Sequence, residues 1–61
     1  MLNILIVDEH GKELESFESM INPIGSKTIT TNLAVYECNE FSVDFKRNEI
    51  VVHVQNDFMK F

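Results

Sequence analysis

The residues best equipped for chemistry in this 61-residue chain are Ser42, Asp44 and His53, which fall on two neighbouring alternating segments. If those segments pair antiparallel with residue numbers summing to 95, Ser42 lies opposite His53 and Asp44 sits two residues along the same polar face. That places a nucleophile, a base and an acid within reach of one another. Catalysis also requires a concave site and backbone donors aimed at a developing oxyanion. A solvent-facing sheet surface in so short a chain provides neither, and Ser, Asp and His are ordinary occupants of such a face. The reading is that the chain is not an enzyme and has no catalytic residues.

Metal chemistry would need His10, Cys38, His53 and a carboxylate to converge, and no two of them show ligand spacing such as C-x-x-C. No metal is expected. Cys38 is flanked by Glu37 and Glu40, whose charges raise a thiol pKa, so an inert thiol is expected. Gly11 and Gly25 are the only glycines, too few for a phosphate loop or a dinucleotide fingerprint, and no cofactor is expected. The segment Ile4-Leu5-Ile6-Val7-Asp8-Glu9-His10 resembles the opening strand of response-regulator receiver domains, in which paired acids at the strand end help to hold magnesium. The likeness spans about seven residues. A receiver also needs a phosphoacceptor aspartate on a later strand and a lysine beyond it, in a chain about twice as long. Without that scaffold, Asp8 and Glu9 read as part of a solvated turn.

Composition narrows the class. The chain is 44% hydrophobic and 25% charged, as in an ordinary globular domain rather than a disordered tail. Ten acids against five cations give a net charge of −5, which repels phosphate backbones, so direct nucleic-acid binding is not expected. The longest purely apolar run, residues 4–7, is strand-sized, far from the ~20 residues of a membrane span. No basic segment followed by a long apolar stretch opens the sequence, and there is one cysteine, so a cytoplasmic protein is expected. The whole of 1–61 reads as one domain. A domain this small buries only about 60% of its unfolded surface and often leans on a disulfide, a metal or a partner subunit.

These residues must be positioned by elements that the hydrophobic pattern outlines. Residues 2–7 are apolar on both faces except for Asn3, which marks a strand at the centre of a sheet. Asp8 and Gly11 suit the first and fourth positions of a type I turn. Leu14, Phe17, Ile21 and Ile24 recur at three- and four-residue steps, predicting a short helix over about 12–22. Period-two alternation predicts a meander of strands at about 28–37, 41–46 and 49–55. In the 95 register Arg47-Asn48 forms a two-residue loop and Lys46 faces Glu49, while Cys38-Asn39-Glu40 connects the first two strands. The expected fold is therefore α+β. The alternative is an all-β five-stranded half-barrel with a hairpin at 8–12, which sets Leu14 and Phe17 on opposite faces.

Recognition is the remaining class of function. The apolar tail 57–61, with Phe58, Met59 and Phe61, either folds back on the core or forms an oligomer interface. The expected function is a small acidic interaction module, a homodimer that binds and modulates or inhibits a larger protein. In profile it is similar to the small acidic proteins that phages and mobile elements encode to inhibit host enzymes or defence systems. The alternative is a nucleic-acid mimic whose acidic segment 8–18, with Glu13, Glu15 and Glu18, blocks a basic groove.

Overall fold

A computed structural model describes all 61 residues. It has six strands and no helix: β1 (Leu2–Val7), β2 (Glu13–Ser19), β3 (Thr28–Thr30), β4 (Ala34–Asp44), β5 (Glu49–Val54) and β6 (Met59–Lys60). The strand order is β2-β1-β5-β4-β3, and β6 pairs with Ala34 and Val35 of β4. The α+β expectation is overturned, and the half-barrel alternative describes the molecule. β1 is an interior strand next to the β2 edge, antiparallel to β2 and parallel to β5, which is the central strand. Its register sets Ile4 beside Ile50 and Ile6 beside Val52 on the inner face.

The core is one cluster formed by Ile4, Ile6, Ala34, Tyr36, Ile50, Val52 and Val54, with Leu2, Leu14, Ile29, Cys38, Phe41 and Phe58 packed around it. β2 and β4 are three strand spacings apart in the sheet order, about 14 Å if flat. Yet the Tyr36 hydroxyl of β4 donates to Glu15 Oε2 of β2 at 2.5 Å. Only a strongly curled sheet brings them together.

The segment expected to be a helix over 12–22 contains β2 instead. The objection to a strand was that period two separates Leu14 from Phe17. A β-bulge removes it: β2 is in steady register with β1 from Leu2↔Ser19 to Ile6↔Glu15, then slips at Val7↔Glu13, leaving Leu14 as the extra residue. Leu14 and Glu15 are both half-buried as a result. Pairing with the apolar β1 thus overrides a local period of 3.6. Ile21 and Ile24, the rest of the expected stripe, lie exposed in the β2–β3 connection.

Three features of the expected meander are corrected. Residues 28–37 do not form one strand, because a turn separates β3 from β4. In it the Thr31 N–H donates to the Ala34 carbonyl at 2.9 Å, and Thr31 Oγ1 accepts from the N–H groups of Leu33 and Ala34. Cys38-Asn39-Glu40 is not a connection but a bulge inside the eleven-residue β4, between Cys38↔Val54 and Glu40↔His53. The β4–β5 register pairs Val43 with Ile50 and Asp44 with Glu49, two residues from the expected one. A two-residue loop needs positive φ at both Arg47 and Asn48. The longer loop needs it only at Asn48, where φ is 52°. Asp44 Oδ1 stabilises this loop by accepting from the N–H groups of Lys46 and Arg47. The one ion pair is consequently Arg47–Asp44, at 3.8 Å, not Lys46–Glu49.

The β1–β2 turn forms as expected from Asp8 and Gly11. The Gly11 N–H donates to the Asp8 carbonyl at 3.1 Å, and Gly11 has φ 81°.

Candidate functional site

The sheet register sorts the chemistry-bearing residues onto different faces. His53 lies opposite Glu40 and Ser42 opposite Val51, so Ser42 Oγ reaches His53 Nε2 diagonally, at 3.2 Å. Asp44 is not part of this pair, since its carboxylate serves the β4–β5 turn and faces Arg47. His10 sits in the β1–β2 turn and Cys38 at the β4 bulge. No three His, Cys, Asp or Glu side chains come together as metal ligands. The Cys38 thiol is pushed up by burial, not by the flanking Glu37 and Glu40 as the sequence suggested.

The acids proposed as a single array divide between two faces. Glu15 is on the inner face, half-buried, with Oε2 accepting from the Tyr36 hydroxyl and from Thr31 Oγ1 at 2.8 Å. Burial, followed by this bond to Glu15, pushes the Tyr36 hydroxyl up to about 12. Glu13 and Glu18 stay exposed on the outer face. There the pairings build two lateral rows across four strands. One is Glu18, Asn3, Glu49 and Asp44; the other is Glu13, Val7, His53 and Glu40. Leu5 and Val51 lie between the rows. Five carboxylates and no lysine or arginine therefore occupy the outward positions of these rows.

The tail folds back. Phe58 stacks at 4.8 Å on Tyr36 and is half-buried, Met59 and Lys60 pair with β4, and the Phe61 N–H donates to the Leu33 carbonyl at 2.9 Å. Met59 and Phe61 nevertheless leave their side chains in solvent, at 68% and 74% exposure. At the other end of the barrel, Phe45 (90% exposed) and Ile24 line one shallow cavity of about 220 Å³. Sequence reasoning missed Phe45, Ile24 and Leu33 as surface residues because each falls in phase with an apolar run, and phase alone does not report burial. Their only warning was proximity to Asn and Gly, which mark turns.

Comparison of the chain with protein-family models, with curated proteins and with solved structures found no match. No helix is long and apolar enough to cross a membrane.

Proposed function

We propose that this chain is a small acidic protein–protein interaction module that self-associates and binds a larger protein, modulating or inhibiting it by occupying its surface. The observation that carries this reading is the distribution of apolar side chains. Eight residues are buried, while ten large hydrophobic residues are exposed, among them Met20, Ile21, Leu33, Phe45, Met59 and Phe61. A monomeric surface tolerates scattered apolar residues, but large exposed patches mark contact sites. Ile24, Val43 and Phe45 line a cavity at one barrel end, Leu33 and Phe61 line one at the other, and Phe17 and Ile21 line a third beside β2.

Sedimentation over a dilution series tests self-association, and a strict monomer at micromolar concentration would refute it. Truncation after Gln55 is a poor probe, because it strips Phe58 from Tyr36 and weakens the fold itself. The double substitution Met59→Ser with Phe61→Ser leaves Phe58 in place and is expected to shift the dimer toward monomer.

A second reading, a nucleic-acid mimic, is favoured by the outer rows, where Glu13, Glu18, Glu40 and Glu49 have no ion-pair partner and only Asp44 meets a cation, Arg47. Glu15 has no part in it, being engaged with Tyr36. Mimicry requires partner binding that weakens steeply with salt, whereas an apolar contact changes little. Replacing Glu13, Glu18 and Glu49 with Gln is expected to abolish binding under the second reading and spare it under the first.

A further inference from the structure

The backbones of β2 and β3, the two terminal strands of the sheet order, do not pair, and the mouth between them is bridged at one end by the Thr31 Oγ1–Glu15 Oε2 bond. No Cα of β2 lies within 8 Å of a Cα of β3. Paired strands sit about 4.8 Å apart, so the gap exceeds one spacing; a single intervening strand needs roughly 9.6 Å. Two adjoining cavities, of about 480 and 250 Å³, run along the gap and share Phe17 and Thr30. Ile4, Phe17 and Ile29 line the second of them.

Both walls present unpaired backbone. The Asn3 N–H bonds toward β5, to the Asn48 carbonyl, so by antiparallel alternation Leu2, Ile4 and Ile6 bond toward β2. Phe17, opposite Ile4, then points its backbone groups at β1, and Ser16 and Glu18 point theirs into the gap. On the other wall, the Cys38 N–H bonds to the Lys27 carbonyl and the Thr31 N–H to the Ala34 carbonyl. The same alternation leaves Thr28 and Thr30 with their backbone groups facing the gap.

We propose that this gap receives one extended segment of a partner protein, which adds as a seventh strand between β2 and β3, its residues alternating apolar with lysine or arginine. This rests on the reading of the chain as a partner-binding module and names where and what it binds. Strand addition draws affinity from main-chain bonds and specificity from alternate side chains. Inward side chains of the segment meet Phe17 and Ile29; outward ones pass Glu18 on a protein of net charge −5. β2 and β3 run antiparallel to each other, so the segment is antiparallel to one wall and parallel to the other. β1 already has that arrangement between β2 and β5. The same charge argues against a second copy entering by its β2 edge, which would set Glu13, Glu15 and Glu18 against their own equivalents.

The probe is a six-residue peptide alternating valine and lysine, titrated into the full chain and followed by amide hydrogen exchange. The expected result is at least tenfold slower exchange at Ser16, Glu18, Thr28 and Thr30, with shifted Phe17 ring signals. The same peptide N-methylated at its central residues should lose at least tenfold in affinity. Ser16→Pro removes a gap-facing N–H without touching the β1 ladder and should weaken binding similarly; if that variant fails to fold, the methylated peptide carries the comparison alone. Binding without protection of those amides, equal binding of the methylated peptide, or no binding would overturn the proposal. So would protection of the four amides by rising protein concentration alone, which would make the occupant a second copy. Sedimentation of the same samples keeps the outcomes separate: a dimer that persists while the peptide fails removes the gap proposal and leaves the interaction-module reading standing.

Discussion

Glu15 and Tyr36 are the residue pair on which the curl of the sheet is most directly visible, and they make a measurable prediction. Tyr36 is the only tyrosine and there is no tryptophan, so the ultraviolet titration of the phenol reports one group. Its midpoint is expected near 12, and Glu15→Gln should lower it in part, by removing the charge beside it while burial, the larger cause, remains. A wild-type midpoint near 10 would mean that the ring is in water and the curl is wrong. The sign for stability follows. A raised acid pKa favours the neutral folded form, so this contribution is complete below about pH 10 and disappears between about 10 and 12. Asp8 works in the opposite direction. Its Oδ1 accepts from the N–H groups of Lys12 and His10, and the Lys12 bond foremost holds its carboxyl below the usual range. Its contribution is present above about pH 3.9 and is lost as pH falls through the lower folded value. Asp8→Asn should therefore flatten the acid limb of a denaturant-midpoint profile.

At the scale of elements, the two bulges and the left-handed residues Gly11 and Asn48 decide how strands meet. Gly11 has φ 81° with open space around its Cα, so Gly11→Ala should cost about 1 kcal/mol from backbone strain alone, whereas Asn48→Gly should lie within a few tenths of wild type. Leu14→Ala, at the β2 bulge, should cost about 2 kcal/mol, because the bulge is what turns this side chain onto the core. Thermal or urea unfolding of these three variants checks all of these values. The strand β1, the Asp8–Gly11 turn and the inner face of β5 were legible in the sequence, since apolar runs and turn residues report directly on burial and on φ. The helix reading failed because Leu14 and Phe17 share a helical period and, through a bulge, also share a strand face. Periodicity cannot tell these apart without knowledge of the partner strand. The candidate site was less legible still. Glu15 lies in an acidic run that looks solvated, and Thr31 and Tyr36 lie 16 and 21 residues away from it, so only the tertiary curl assembles the three.

For the whole molecule, eight buried residues have to hold 61 in place. At about 0.05–0.15 kcal/mol per residue, stability is on the order of 3–9 kcal/mol. Ile6→Ala, which opens a cavity at a fully buried position, should cost about 2–5 kcal/mol and leave much of the population unfolded, as circular dichroism at neutral pH would register. The parallel pairing of β1 with β5 has a further consequence, one that concerns time. β1 needs, as its inner neighbour, a strand that is made later and is complete only at Val54. The β1–β2 hairpin that is available earlier is marginal by itself. Closing the loop between β1 and β5 precedes any return from their contacts, which makes such topologies slow to fold. The nascent chain thus stays open, with Ile4 and Ile6 in water, until β5 has been synthesised. During that interval proteases and chaperones have access to a segment that the finished molecule hides completely.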